Sequence, residues 1–136
     1  MTKELWLNLP VKDLKKAKEF YKQLGFSFKE ERDTPVMSAM IVGTKKIAVM
    51  LVTIEQFEKY AQLKISDTKQ GCEILISFDA ETREEVDQLA ASAEKAGGLL
   101  FAKPSEILGW MYGCAFADLD GHRWNALYMD MSKAPK

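Results

Sequence analysis

DLDGHRWNALYMD, at residues 118–130, is the stretch that decides the fold, because it joins a recognisable turn to a strand whose faces can be assigned. Asp120-Gly121 is typical of a tight turn, since glycine adopts positive φ without steric cost and aspartate can bond the backbone beside it. Residues 110–117 before the turn are rich in aromatics and lack proline, and residues 123–129 after it alternate in character. The pattern predicts a β-hairpin that ends the chain.

Alternation along the last strand assigns its side chains to two faces. Trp124, Ala126 and Tyr128 form one face, which is apolar except for a phenol and is expected to pack on helices. The opposite face carries Asn125 in mid-strand. We expect that amide to point into the space that the sheet encloses, which makes this space the candidate binding site.

Composition describes one soluble globular domain. The 136 residues are 47% hydrophobic and 29% charged, and a chain of that length buries roughly two thirds of its unfolded surface. A net charge of -1 provides no basic field for nucleic acid. The apolar runs are strand-sized, and no signal-peptide core is seen, so we expect a cytoplasmic protein with no membrane partner.

The two cysteines, Cys72 and Cys114, both fall in predicted strands and far apart in the sequence. Buried cysteines behave as small hydrophobic residues, and no CxxC pair indicates redox work. We therefore interpret both as inert thiols that form no disulfide.

The first half of the chain predicts a strand, a helix and three further strands. A strand at residues 5–11 precedes a helix from Leu14 to about Leu24, which Asp13 caps and Gly25 ends. The remaining elements are strands at residues 26–31, 36–42 and 47–53, a short helix at 55–63 and a polar, mobile linker at 64–70.

The second half repeats this plan. Thr82 and Glu85 have the spacing of a capping box, and Gly97-Gly98 ends the helix that follows. Gly25 and Gly97 lie 72 residues apart, about half the chain, so a duplicated unit of strand, helix and three strands is implied. Strands are predicted at residues 72–78, 99–102, 110–117 and 123–129, which gives a single domain (1–136) of two modules at about 1–66 and 71–130.

Two stretches resemble one known family. DLDGHRW at residues 118–124, preceded by Met111-Tyr112-Gly113, resembles the closing hairpin of the glyoxalase, bleomycin-resistance and extradiol-dioxygenase superfamily, the vicinal oxygen chelate fold. LPVKDL at residues 9–14, followed by Phe20-Tyr21 and LGF at 24–26, resembles its beginning. The likeness is greatest to the branch labelled predicted lactoylglutathione lyases.

The resemblance implies an α+β fold. Two βαβββ modules are expected to form an open curved barrel, with helices outside and a cleft inside. Family members generally associate in pairs, and sheets with uncovered edges favour association, so a homodimer is expected.

The resemblance also assigns four inward-facing positions that bind a divalent ion in metal-using members. In this sequence they are Trp6, Leu51, Glu73 and Asn125. Trp6 and Leu51 have no ligand atoms, and a carboxylate with an amide falls short of the three or four protein ligands that zinc usually requires. No cofactor is therefore predicted. The alternative is a weakly held divalent metal at Glu73 and Asn125 with waters, as in a glyoxalase-like lyase, isomerase or dioxygenase.

Glu73 is the candidate catalytic residue, because a carboxylate facing a cleft is suited to proton transfer or to holding a cationic ligand. The alternative is a solvated glutamate at the start of a strand, or one paired with Arg123. His122 is the only histidine, and its strand parity relative to Asn125 directs it away from the cleft, which favours a structural role.

The predicted cleft has apolar walls with a few polar points, which suits a flat or aromatic small molecule. We therefore interpret the protein as a binder of such a molecule without the usual metal, either a sequestering resistance-type protein or a metal-independent enzyme. Two alternatives stay open, a cavity plugged by Trp6 and an interaction module that uses the linker at residues 64–70. The predicted ligand-binding residues are Trp6, Asn8, Leu51, Glu73, Leu75, Tyr112 and Asn125.

Overall fold

The computed structural model describes residues 1–136 and separates them into two compact units, Met1–Gly71 and Cys72–Lys136. Each unit contains a four-stranded mixed sheet, and each follows the order strand, helix and three strands. The α+β class with two βαβββ modules is thereby confirmed. The assignment of all residues to a single domain stays a prediction. No helix is long and apolar enough to cross a membrane.

The first unit has the strand order β1-β4-β3-β2, in which β1 runs parallel to β4 and the other neighbours are antiparallel. Its second strand is shorter than predicted. After two residues the chain turns into a 3-10 segment, Glu30–Arg32, where Glu30 and Asp33 bind Lys18 of the first helix. The elements are β1 (Trp6–Val11), α1 (Leu14–Gln23), β2 (Ser27–Phe28), β3 (Met37–Val42), β4 (Ile47–Thr53) and α2 (Ile54–Ala61).

The second unit has the order β5-β8-β7-β6, with β5 parallel to β8. Its first strand starts at Leu75 rather than at Cys72 as predicted. Leu75 pairs with Arg123, the first residue of β8, so β5 begins where its partner does. The elements are β5 (Leu75–Ala80), α3 (Arg83–Lys95), β6 (Leu99–Ile107), β7 (Met111–Ala117) and β8 (Arg123–Met129).

Helices α1 and α3 end in the same way, which supports the duplicated unit. Gly25 has φ 95° and donates its N–H to the Lys22 carbonyl at 3.0 Å, while Phe26 N–H donates to the Tyr21 carbonyl at 3.1 Å. Gly97, at φ 98°, and Gly98 donate to Glu94 and Ala93 in the same pattern. These paired bonds satisfy the last carbonyls of each helix. They require a left-handed backbone at the position of Gly25 and Gly97, which favours glycine.

The N-termini of the same helices are capped by side chains. Asp13 Oδ1 accepts the Lys16 N–H at 3.0 Å, and Thr82 Oγ1 accepts the Glu85 N–H at 3.1 Å. The Glu85 carboxylate accepts the N–H of Glu81, at 3.1 Å, rather than that of Thr82. The capping box is therefore present with its second bond displaced by one residue.

The hairpin between β7 and β8 is organised by Asp118. Its buried Oδ1 accepts the N–H of Asp120 at 3.0 Å and of His122 at 2.9 Å, and Gly121 has φ 87°. The hairpin was predicted from Asp120-Gly121, and the carboxylate that accepts both of these N–H groups is that of Asp118, two residues earlier. Without this side chain, both N–H groups would lack an acceptor inside the turn.

Candidate functional site

The face of the second sheet that packs on α3 is identified by two side chains of β7. Tyr112 donates its hydroxyl to Asp87 at 2.7 Å, and the Cys114 thiol lies 3.7 Å from the Val86 carbonyl. In the register of the sheet these residues pair with Tyr128 and Ala126. Trp124, on the same face of β8, is fully buried, as the alternation of its strand predicted.

The opposite side of this sheet is called here the distal face of the second sheet. Its centre is Asn125, which pairs with Ser77 on β5 and with Ala115 on β7. Leu75, half exposed, pairs with Arg123 on the same face. Its members are Leu75, Ser77 and Asp79 of β5, Gly113, Ala115 and Ala117 of β7, and Arg123, Asn125 and Leu127 of β8.

Asn125 carries the only buried side-chain oxygen or nitrogen of the chain that lacks a hydrogen-bond partner, its Oδ1. An amide oxygen removed from water without a donor costs free energy of order 1–3 kcal/mol. Buried polar groups in folded proteins nearly always have partners. An acceptor in this condition, in the middle of a sheet face, marks a place where a ligand with a donor group could replace the missing bond.

Arg123 is a member of this face that the sequence prediction considered only as a partner for Glu73. Its guanidinium carbon lies 4.1 Å from the centre of the Phe101 ring, and it forms no ion pair with a carboxylate. This contact could not be predicted from the sequence. Phe101 lies on β6 and Arg123 lies on β8, and a third strand, β7, separates them.

Two of the predicted ligand-binding residues in this unit lie elsewhere. Tyr112 contacts α3 and therefore lies on the face opposite to Asn125, so its placement in one site with Asn125 is wrong. Glu73 precedes β5 and is exposed, as the alternative of a solvated glutamate near the start of the strand describes. Only Leu75 and Asn125 share a face as predicted.

The predicted ligand-binding residues of the first unit lie on two different faces of its sheet. Trp6 pairs with Ala48 and Asn8 pairs with Met50, so these four lie on one face of the first sheet, its distal face. Leu51 pairs with Leu9 and is completely buried on the opposite face. The prediction that Leu51 shares a surface with Trp6 and Asn8 is therefore wrong, by a shift of one residue along β4.

The residues present do not fit the metal site of the family. The carried-over positions contain Trp6 and, after correction of the β4 register, Ala48 or Met50 in place of Leu51. None of these three supplies the nitrogen or carboxylate oxygen that zinc, nickel or iron sites use. No group of three or more His, Cys, Asp or Glu side chains comes together anywhere in the chain to hold an ion.

A depression of about 540 Å³ lies elsewhere in the first unit, beside the N-terminus of α1. It contains none of the predicted site residues. Its polar groups are largely engaged, since Asp13 caps the helix and Lys18 binds Glu30 and Asp33. Its lining is Lys12, Asp13, Leu14, Lys15, Lys18, Asp33, Thr34, Pro35, Ser38 and Thr53.

The two thiols differ in burial, although the sequence interpretation treated both as buried and inert. Burial raises the pKa of Cys114 to about 11, which keeps it protonated at neutral pH. Cys72 is exposed, and its thiol donates to the Ile74 carbonyl at 3.2 Å. Both are free cysteines, in agreement with the sequence interpretation that neither forms a disulfide.

Comparison with known proteins identifies relatives of the fold. The model of the Glyoxalase/Bleomycin resistance protein/Dioxygenase superfamily matches residues 5–126. Hypothetical protein SA1046 from S. aureus is 36% identical, with a TM-score of 0.83 and 94% of each chain covered. No curated protein matches the sequence.

Two further solved structures share the fold at lower identity. A glyoxalase/bleomycin resistance protein/dioxygenase family enzyme from Burkholderia phytofirmans PsJN is 24% identical, with a TM-score of 0.77 over 91% of this chain and 96% of that one. The genomically encoded fosfomycin resistance protein FosX from Listeria monocytogenes is 16% identical, with a TM-score of 0.68 over 97% of each chain.

Proposed function

Because this chain belongs to the glyoxalase/bleomycin resistance protein/dioxygenase superfamily, we propose that it binds a small, partly aromatic molecule without the divalent metal of its metal-using relatives. One observation carries the proposal, the buried and unpartnered Oδ1 of Asn125. A ligand that donates a hydrogen bond to this oxygen would remove a cost that the free protein bears. Natural proteins tolerate such costs mainly at functional sites.

The surroundings of Asn125 support a ligand with an apolar body. Leu75 is 51% exposed and lies next to Arg123 on β8, while Ser77 pairs with Asn125 itself. A leucine left in water gains free energy when a flat apolar molecule covers it, at about 25 cal/mol per Å² of apolar area.

The donor set argues against the lactoylglutathione lyase activity that the branch label suggests, since that reaction uses a metal to polarise an enediolate. We expect less than one equivalent of zinc, nickel or iron per chain after purification without chelators, and no activity on hemithioacetals. Elemental analysis that finds one tightly held transition metal, lost in Glu73→Gln, would favour the metal-using alternative instead.

The binding proposal is tested by Asn125→Leu, which replaces the amide by an apolar group of similar size. We expect the melting temperature of the free protein to rise, because an unsatisfied polar group is removed. We also expect the thermal shift caused by aromatic and heteroaromatic compounds to be lost, because the hydrogen-bond acceptor of the site is gone.

Tyr112→Phe is the matched control for Asn125→Leu. It removes a hydrogen bond from the α3 face of the same sheet and should leave ligand-induced shifts unchanged. If no compound from a broad aromatic library shifts the melting temperature of the wild-type protein, the proposal fails and the interpretation of a plugged, inactive cavity is favoured.

A further inference from the structure

Arg123 and Phe101 bring a cation and an aromatic ring together across three strands. Arg123 lies on β8 and Phe101 on β6, and β7 runs between them. Neighbouring strands are about 4.8 Å apart, so the arginine side chain must extend over β7 to reach the ring. The residues of β7 nearest to its path are Ala115 and Ala117, whose small side chains leave room for it.

Phe101 is held at this position by an irregularity of β6. Leu100 pairs with Phe116 and Ala102 pairs with Ala115, so β6 has one residue more than β7 at this point. Phe101 is the extra residue of this β-bulge. Bulges redirect side chains and are common beside binding sites. The ring is 39% exposed, and its centre lies 4.1 Å from the guanidinium carbon of Arg123, which is itself only partly buried.

No carboxylate pairs with Arg123. Its only described side-chain interaction is with Phe101, and neither Glu73 nor Asp79 forms an ion pair with it. Asp79 does lie on the same face, but it pairs with Leu127, four residues further along β8. The face therefore has a positive end at Arg123 and a negative end at Asp79, with Asn125 between them.

We propose that Arg123, positioned by its contact with Phe101, anchors the carboxylate of an aromatic acid on the distal face of the second sheet. The two parallel N–H groups on the edge of a guanidinium match the two oxygens of a carboxylate. One cation balances a monoanion, and Asp79 repels a second negative group at the other end. Arg123 and Asn125 are two residues apart on one strand, about 6.6 Å, a separation that an aromatic ring bridges.

This inference rests on the proposed function and names the class of molecule bound there. The test uses 5-hydroxy-1-naphthoate and 5-hydroxy-1-naphthamide, called naphthoate and naphthamide below, which share one ring system with a hydroxyl that can donate to Asn125 Oδ1 and differ in charge. We expect naphthoate to bind at least about tenfold more tightly than naphthamide in calorimetric titrations at low salt, and the ratio to shrink as the salt concentration rises.

Arg123→Gln should bring that ratio close to one by weakening naphthoate alone, and Arg123→Lys should restore it only in part, because lysine lacks the planar fork. Arg83→Gln is the matched control. Arg83 is also stacked on aromatic rings, those of Tyr112 and Tyr128 at 5.0 and 5.6 Å, but on the α3 face. Its loss removes the same charge from the chain and should leave the ratio unchanged.

Equal affinity of the wild-type protein for both compounds would overturn the anchor while leaving aromatic binding in place. A ratio that persists in Arg123→Gln, or that falls equally in Arg83→Gln, would also overturn it. If neither compound binds the wild-type protein while other aromatic compounds shift its melting temperature, this inference alone is overturned. If no aromatic compound shifts it, the proposed function is overturned as well. Circular dichroism melts of each variant without ligand establish that it is folded.

Discussion

The carboxylate of Asp118 stabilises the turn between β7 and β8 by accepting hydrogen bonds from its backbone, although Asp118 lies two positions before the Asp120-Gly121 pair. It is 5% exposed and accepts two backbone N–H groups. Hydrogen bonds to a charged acceptor are stronger than those to a neutral one. The turn that leads into the last strand, which carries Arg123 and Asn125, is therefore stabilised by this one side chain.

Asp118→Ala is expected to destabilise the protein by about 2–4 kcal/mol, because two partly buried N–H groups lose their acceptor. Urea unfolding followed by circular dichroism measures the change. Asp120→Ala, at the aspartate that the sequence alone indicated, serves as the comparison and should cost less. A larger loss for Asp120→Ala would contradict the assignment to Asp118.

Gly113 is the second residue whose identity the structure explains. A Cβ at this position would lie 2.5 Å from Leu127 Cδ2 and 2.8 Å from the Ala126 carbonyl oxygen. The leucine side chain can rotate, but the carbonyl belongs to the adjacent strand. Close approach of two backbones, rather than an unusual φ, therefore requires glycine here.

Gly113→Ala is expected to cost about 1–3 kcal/mol through overpacking between β7 and β8. Combining it with Leu127→Ala should recover only part of the loss, since the contact with the Ala126 carbonyl remains. Chemical denaturation of the two single variants and the double variant measures the coupling. Full recovery in the double variant would show that only the side-chain contact mattered.

At the scale of elements, α1 is attached to the turn after β2 by a small charge network. Lys18 of α1 binds both Glu30 and Asp33, and Lys22 Nζ lies 2.8 Å from Glu30 Oε1. Lys18 and then Lys22 lower the pKa of Glu30 from 4.5 to about 2. A lowered carboxyl pKa means that the contact is present above pH 4.5 and is lost as the pH falls toward 2.

Lys18→Gln is therefore expected to lower the melting temperature at pH 7, with a difference from wild type that shrinks between pH 4.5 and pH 2. Thermal melts across this range test the prediction. The matched control is Lys15→Gln, which removes an exposed lysine near the N-terminus of the same helix, where the helix dipole disfavours a cation. A difference for Lys18→Gln that is independent of pH would mean that its packing, and not its charge, matters.

At the scale of the whole molecule, the chain leaves large apolar side chains in water. Trp6, Leu75 and Leu99 are all more than half exposed. Both sheets also have edge strands, and uncovered edges and apolar surface favour association. These features support the proposal of a homodimer.

Light scattering at micromolar concentrations is expected to give twice the 15.4 kDa mass of one chain. Leu99→Asp should lower the association constant by placing a charge on an exposed sheet residue. Leu63→Asp, which changes a leucine of similar exposure at the end of α2, is the control and should have little effect. A single-chain mass for the wild-type protein would contradict the proposal.

The features that the sequence by itself determined are those that depend on neighbours along the chain. Asp13, Thr82, Gly25 and Gly97 begin and end helices through bonds within a few residues, so their types and spacing are sufficient evidence. The faces of β8 follow likewise from alternation about Asn125. The matched family, which covers residues 5–126, was recognisable from these local patterns and the hairpin sequence.

Strand register was decided only by the tertiary structure, because it depends on partners distant in the sequence. A shift of one residue on β4 places Leu51 rather than Met50 in the core, and the beginning of β8 determines where β5 can start. The pair of Arg123 and Phe101 requires β7 between its strands and a bulge in β6. No local pattern contains that information. The contact that positions the Arg123 cation at the candidate site therefore exists only in the assembled sheet.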